Sequence, residues 1–311
     1  MPIFLKENDK EKYICYFTLY ELLNRSFKKV KPYFYELQNY DNWEEIIPQM
    51  LIVDPKDVKK NKEKVIKNLS LLRDYDIICK KGSKFYPERL NTINDSPEFL
   101  FMRGEPLLAD KAVISIVGSR AASEEGSLKA RVLSRILSER GIVVASGLAK
   151  GIDINAHQGT IDAKKQTIAV IGTPLNKTYP KEHNNMQDYI GEEGLVISQF
   201  PPGTPVQRWN FPMRNAIMSG ISIATIVMEA GETSGALIQA RESLKQGREV
   251  FIPQSAIDNP SLSWPKNYVN NKGAKKFTTV KDLFNILKNG KLITTYLPSE
   301  ETKTLAFEEK D

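Results

Sequence analysis

Two cations, Arg120 and Lys150, each stand in a run of small residues, Gly118-Ser119-Arg120 and Ser146-Gly147-Leu148-Ala149-Lys150-Gly151. Small side chains let a ligand approach the backbone, and a cation beside exposed amides is a place for phosphate. Each loop taken alone is equally compatible with turn chemistry and a solvated surface charge. A third stretch, PPGTPVQRWNFPMRN (residues 201–215), holds Trp209 and Phe211 among Arg208, Arg214 and Asn215. Interleaved rings and guanidinium groups suit a single nucleic-acid strand, because rings stack on bases while guanidinium groups hold phosphates. The same rings would also serve to pin a long loop to the core, and Arg214 to form an internal ion pair. The prolines predict neither helix nor strand here.

Catalytic chemistry finds less support. His157 and His183 are the two histidines, and neither sits in a metal-ligand pattern such as HExxH. His157, on a predicted helix flank after Asp153, reads as a hydrogen-bonded structural histidine. There is no GxxxxGK(S/T) loop, and Arg120 stands where the second glycine of a GxGxxG fingerprint begun at Gly118 should be. Neither P-loop hydrolysis nor a dinucleotide site is therefore expected. No catalytic residue, cofactor or metal is expected.

Those loops need a scaffold. The apolar run at residues 113–117 is too short for a buried helix and ends at Gly118, as a buried parallel strand does. Leu128, Val132, Leu133, Ile136 and Leu137 then recur at helical spacing, with Ser123 to cap the start and Gly141 to end the helix. Residues 142–145 make the next strand. The two cation loops then lie side by side at the carboxyl ends of neighbouring parallel strands, where open α/β sheets bind ligands. Glu124 and Glu125 at the helix start would repel an anion there and leave the attraction to Arg120.

Downstream, the pattern predicts a helix over 151–165, then strands over 167–171, 195–198, 223–228, 249–252 and 275–277, with helices over 234–245 and 280–287. Strand alternating with helix defines the α/β class, a parallel sheet with helices on both faces. Upstream, residues 1–80 read as a small helical domain, with Ile14, Phe17, Leu22 and Leu23, and later Val65, Leu69 and Leu72, at helical spacing. Its Lys59, Lys60, Lys62, Lys64 and Lys67 alternate with acids and read as a solvated face. Residues 81–110, interrupted by Gly82, Pro87, Pro97, Gly104 and Pro106, read as a connector packed on the domain at 111–290. Residues 291–311 read as a polar tail, poorly ordered from Thr294.

The 311 residues carry 26% charged and 41% hydrophobic side chains, ordinary for a soluble globular protein. A net charge of +6 favours an anionic partner, and no segment is apolar enough to span a bilayer. The polar start MPIFLKENDKEK lacks the apolar core of a secretion signal, so a cytoplasmic location is expected. Cys15 and Cys79, without CxxC spacing, are expected as core thiols.

Five motifs then occur in order: VGSR (117–120), SGLAKGIDINAH (146–157), TIAVIGTPLNKTYP (167–180), PPGTPVQRWNFPMRNAIMSGIS (201–222) and VMEAGETSGALIQA (227–240). With the lead-in YPERLNTINDSPEFLFMRG (86–104), the chain resembles the DprA/Smf family over roughly residues 85 to 280. The resemblance implies an extended Rossmann-like fold that binds and shields single-stranded DNA, loads the RecA recombinase in natural transformation, and works as a homodimer. It carries DNA contacts over to Arg120, Arg208 and Phe211, with Gly118, Ser119, Arg214 and Asn215 completing the pocket rim and Lys150 and Lys181 as lesser contacts. Arg208 replaces the commoner lysine and keeps the charge. Three departures stand out: Gly172-Thr173-Pro174-Leu175 lacks a second glycine, Ala216 replaces a usual arginine, and Ile252-Pro253-Gln254-Ser255 lacks a glycine after its proline. The loss of arginine implies one basic contact fewer.

Two other classes stay open. A related nucleoside-monophosphate hydrolase would need a glutamate where Gln239 stands, and an amide cannot act as a general base. A sensor binding a nucleotide in the Gly118/Gly147 cleft is the third reading.

Overall fold

All five residues of Val113–Val117 are buried, as in a strand with both faces covered, and its one polar side chain, Ser115, is paired with the Thr225 hydroxyl at 2.6 Å. The computed structural model in which this is seen describes residues 2–4, 9–38 and 40–293. The polar tail expected from Thr294 lies outside them. In chain order the elements are β1 (Ile3–Phe4), α1 (Asp9–Leu22), α2 (Phe27–Leu37), α3 (Trp43–Leu51), α4 (Pro55–Asn68), β2 (Ile77–Lys80), β3 (Phe99–Gly104), β4 (Val113–Val117), α5 (Glu124–Glu139), β5 (Val143–Ser146) and α6 (Ile152–Asp162). There follow β6 (Thr167–Val170), α7 (Asn184–Glu193), β7 (Leu195–Ser198), α8 (Asn210–Ile221), β8 (Ala224–Val227), α9 (Gly235–Lys245), β9 (Glu249–Pro253), α10 (Gln254–Asp258), α11 (Trp264–Asn271), β10 (Lys275–Phe277) and α12 (Val280–Asn289).

The ten strands form one sheet in the order β1-β2-β3-β7-β6-β5-β4-β8-β9-β10. All pairs are parallel except β2 with β3 and β3 with β7. The chain winds outward from β4 in both directions, so the gap between the β4 and β8 loops is the topological switch point. Side-chain alternation assigns the faces. Ile114 and Ile116 of β4 pack with α5, α6 and α12. Phe99, Phe101, Ala169 and Val196 join the same side to α1–α4 and α7. Val113 and Val117, with Leu100, Met102, Ile168 and Val170, point the other way onto α8, α9 and α11.

Local signals govern the central unit. Ser123 Oγ accepts from the Gly126 N–H at 2.9 Å and caps α5, and Gly141, at φ +79°, follows its end. The first eighty residues are helical through α1–α4, yet β1 and β2 extend the same sheet, and β3 lies within the stretch read as a connector. The bidentate Asp76–Arg103 pair, at 2.7 and 2.9 Å and fully buried, ties the segment before β2 to β3. Cys15 and Cys79 are buried free thiols, pushed up by burial to about 12 and about 11.

One expectation fails. The segment 201–215 is not irregular throughout, since α8 begins at Asn210 inside it. Pro212 sits in the first turn, where its missing N–H has no intrahelical acceptor to lose.

Candidate nucleic-acid interface

The loop after β4 is held from both sides. The Ser119 N–H donates to the Glu229 carbonyl at 2.6 Å after β8, and the Ser119 carbonyl accepts from the Ile152 N–H at 3.2 Å where α6 starts. Gly118 and Ser119 are thereby fixed as backbone, while the side chain of Arg120 stays exposed. The start of α5 is already occupied by a carboxylate: Glu229 accepts from the Ser123 N–H at 3.1 Å and from its hydroxyl at 2.7 Å. Acids therefore close this helix terminus to anions: Glu124 and Glu125 stand in its first turn as expected, and Glu229 joins them at the cap. Glu229 was legible only as the residue after a strand.

Phe211 reaches the same edge from the first turn of α8 and is half-buried. It lies on Gly172, where a Cβ would stand 2.8 Å from the ring, so no larger residue fits beneath it. Asn210 Nδ2 fixes the approach by donating to the Gly172 carbonyl at 3.2 Å. The Tyr179 ring is 5.3 Å from that of Phe211 at 49°, and the Arg120 guanidinium sits 5.6 Å from the Phe211 centroid. Three segments distant in the chain thus meet at one ring. Tyr179 belongs to the third motif, but its spacing marked it only as part of a turn.

Phe211 borders two cavities. One, of about 500 Å³, opens at the switch point and is lined by Gly118, Ser119, Arg120, Asp153, Arg214 and Asn215 among others. The other, of about 100 Å³, lies against Lys150, Tyr179 and Pro180. Arg214 and Asn215 form the floor, not the rim, since both are buried. Arg214 Nη1 donates to the carbonyls of Gly147 and Val170, each at 2.6 Å, and Nε donates to Asn215 Oδ1 at 3.0 Å. The guanidinium crosses so close above Gly147 that a Cβ there would collide with it. Burial pushes the Arg214 pKa down, opposed by Asp153. Burial likewise pushes Asp153 up, opposed by the Arg214 charge and by the amides of Ala149 and Gly147.

The remaining cations are peripheral. Lys150 pairs with Glu182 at 2.8 Å, both half exposed. Arg208 and Lys181 are exposed, line neither cavity, and have no ion-pair partner among the described residues. Gln239 is buried, and its amide is satisfied when the nitrogen donates to the Asn215 carbonyl at 2.9 Å and the oxygen accepts from the Ser219 hydroxyl at 2.8 Å. No group of three potential metal-ligating acids, histidines or cysteines occurs among the described residues.

His157 is buried behind the site with Nδ1 2.9 Å from Thr167 Oγ1. Burial, then the charges of Arg214 and His183, push its pKa down to about 3. Between about pH 6.5 and pH 3 the unfolded chain takes up a proton that the native state refuses. The stability from His157 is therefore complete above about pH 6.5 and declines with acidification, by about 2 kcal/mol at pH 5. In urea unfolding at pH 7.5 and pH 5, His157→Asn should lose about 2 kcal/mol less than the wild type over that interval.

A mostly parallel sheet wound both ways from its centre, with a cleft at the switch point floored by a buried arginine and bordered by a ring under a guanidinium, defines an extended Rossmann-like protein. The family model described as DNA recombination-mediator protein A matches residues 77–288. The chain belongs to that family. It is 38% identical over 207 residues to the DNA processing protein DprA of Bacillus subtilis, covering 66% of this chain and 69% of that protein. The X-ray structure of DNA processing protein A from Streptococcus pneumoniae superposes with a TM-score of 0.72 at 31% identity, covering 92% of this chain and 98% of that one. A Helicobacter pylori DprA structure, described for its single-stranded DNA binding mode, shares the fold with a TM-score of 0.61 at 22% identity over 69% of this chain and 96% of that one.

Proposed function

We propose that this protein binds single-stranded DNA along the carboxyl edge of its sheet, as a non-catalytic binder that shields the strand and passes it to a RecA-type recombinase during DNA uptake. The observation that carries the reading is the meeting of Arg120, Phe211 and Tyr179 beside the cleft, a cation and rings where one unpaired strand needs them. Exposed Arg208 and Lys181 lie beyond the cavities, where a polymer and not a mononucleotide would reach them. Membership in a DNA recombination-mediator family supports the same substrate. The satisfied amide of Gln239 speaks against a base-cleaving hydrolase, since it offers no general base.

Action as a homodimer in the cytoplasm belongs to the proposal. No helix among the described residues is long and apolar enough to cross a membrane.

The test is a salt titration with single-stranded and duplex oligonucleotides. Single strands should bind in preference, and log K should fall with log salt by about 0.7 per neutralised phosphate. Saturable binding of a mononucleotide without binding of the oligonucleotide would turn the reading to a sensor, and free base released from a nucleoside monophosphate would turn it to a hydrolase. Recombinase filament formation on strands already coated with this protein tests the hand-over, and sedimentation tests the dimer.

A further inference from the structure

We propose that Trp209 is a second base-stacking platform, addressing a different nucleotide of the strand from the one at Phe211; this rests on the single-strand reading above. Tryptophan is highly buried on average, yet Trp209 is 63% exposed. The other two tryptophans follow the rule, Trp43 at 5% and Trp264 at 3%. Trp209 has no aromatic or cation partner among the described residues. The ring of Phe211 is by contrast engaged, with Gly172 beneath it, Tyr179 beside it and Arg120 over it. A base can stack on Phe211 only where the guanidinium gives way, whereas the indole is open before any ligand arrives.

The backbone sets where the second ring points. Trp209 has helical dihedrals, φ −73° and ψ −13°, directly before α8, and Phe211 is the second residue of that helix. Two residues along a helix turn the side chain by about 200° and advance it by about 3 Å. The two rings therefore project from opposite sides of the helix start and cannot clamp one base between them. They suit successive contacts along a strand, with the exposed Arg208 next to Trp209 to take a phosphate. The ligand class is an unpaired nucleobase of any identity, because every base presents a π-face.

Since Trp43 and Trp264 are buried, Trp209 is the tryptophan open to acrylamide and to quenching by a stacked base. Saturating oligothymidylate should quench the exposed part of the emission and protect it from acrylamide, and Trp209→Phe should abolish the signal while binding within about threefold of wild type. Trp209→Ala should bind a labelled oligonucleotide roughly 5- to 150-fold more weakly by anisotropy, without loss of thermal stability. An abasic strand should bind wild type and Trp209→Ala equally. Tight anisotropy binding with unchanged tryptophan emission, or a Trp209→Ala affinity equal to wild type, would overturn the proposal and leave the single-strand site standing. Wild-type protein that binds no oligonucleotide at all would remove both.

Discussion

Arg214→Ala should destabilise the protein by about 3–5 kcal/mol in denaturant unfolding, the cost of removing one partner from a buried charge network. The guanidinium satisfies the Gly147 carbonyl after β5, the Val170 carbonyl at the end of β6 and Asn215 at once, and its charge compensates the buried carboxylate of Asp153. Its loss would take a donor from both carbonyls and leave Asp153 without its counter-charge on the floor of the cleft. Arg214→Lys should recover only part of the loss, because a single ammonium cannot reproduce the planar fork. Adding Asp153→Asn to Arg214→Ala should restore stability beyond the sum of the two single changes, since they share one interaction. A fall below about 1 kcal/mol in Arg214→Ala would show that water replaces the guanidinium cheaply, and the arginine would then be a ligand contact more than a structural one.

The second large effect is on binding. Arg120→Ala and Arg208→Ala should each weaken single-strand affinity by about 10- to 150-fold, as expected for a charge-assisted hydrogen bond of about 1.5–3 kcal/mol. The loss should be the same for every base sequence, because these contacts address phosphate. Each substitution should also reduce the salt slope by about 0.7. Both side chains are exposed, so the urea midpoints should stay near that of the wild type. Anisotropy titrations at three salt concentrations give affinity and slope together. If both variants bind as the wild type does, the strand does not follow this edge of the sheet.

These expectations divide the two arginines of the segment 208–214 by environment. Arg208 and Arg214 bracket the same two aromatics, Trp209 and Phe211, in the sequence. Burial makes one a floor beam and leaves the other at the surface.

The scaffold was largely legible because its signals are local. Periods of two and 3.6 residues, Ser123 as a cap and Gly141 at a helix end act within one turn or one strand, so the strands β4 to β10, the helices α5, α6, α9 and α12 and the position of the two cation loops follow from neighbouring residues, whereas α7, α8, α10 and α11 were not expected. The expected helix start in 151–165 and the strand ends differ from the observed ones by a residue or so, as end effects do. β1, β2 and β3 were not legible. They are short, and their identity comes from pairing with strands tens of residues away, such as β3 with β7.

By itself, the amino-acid sequence determined the class of the fold, the edge of the sheet on which the two cation loops lie, and the residue types gathered there. Only the tertiary structure decided which of those residues are open to a ligand. Arg214 is spent on carbonyls, Glu229 closes a helix end, Tyr179 joins Phe211, and Arg120 rests on that ring. The physical reason is that burial and partnership depend on segments brought together by the sheet, and a linear pattern carries no record of which side chain covers which.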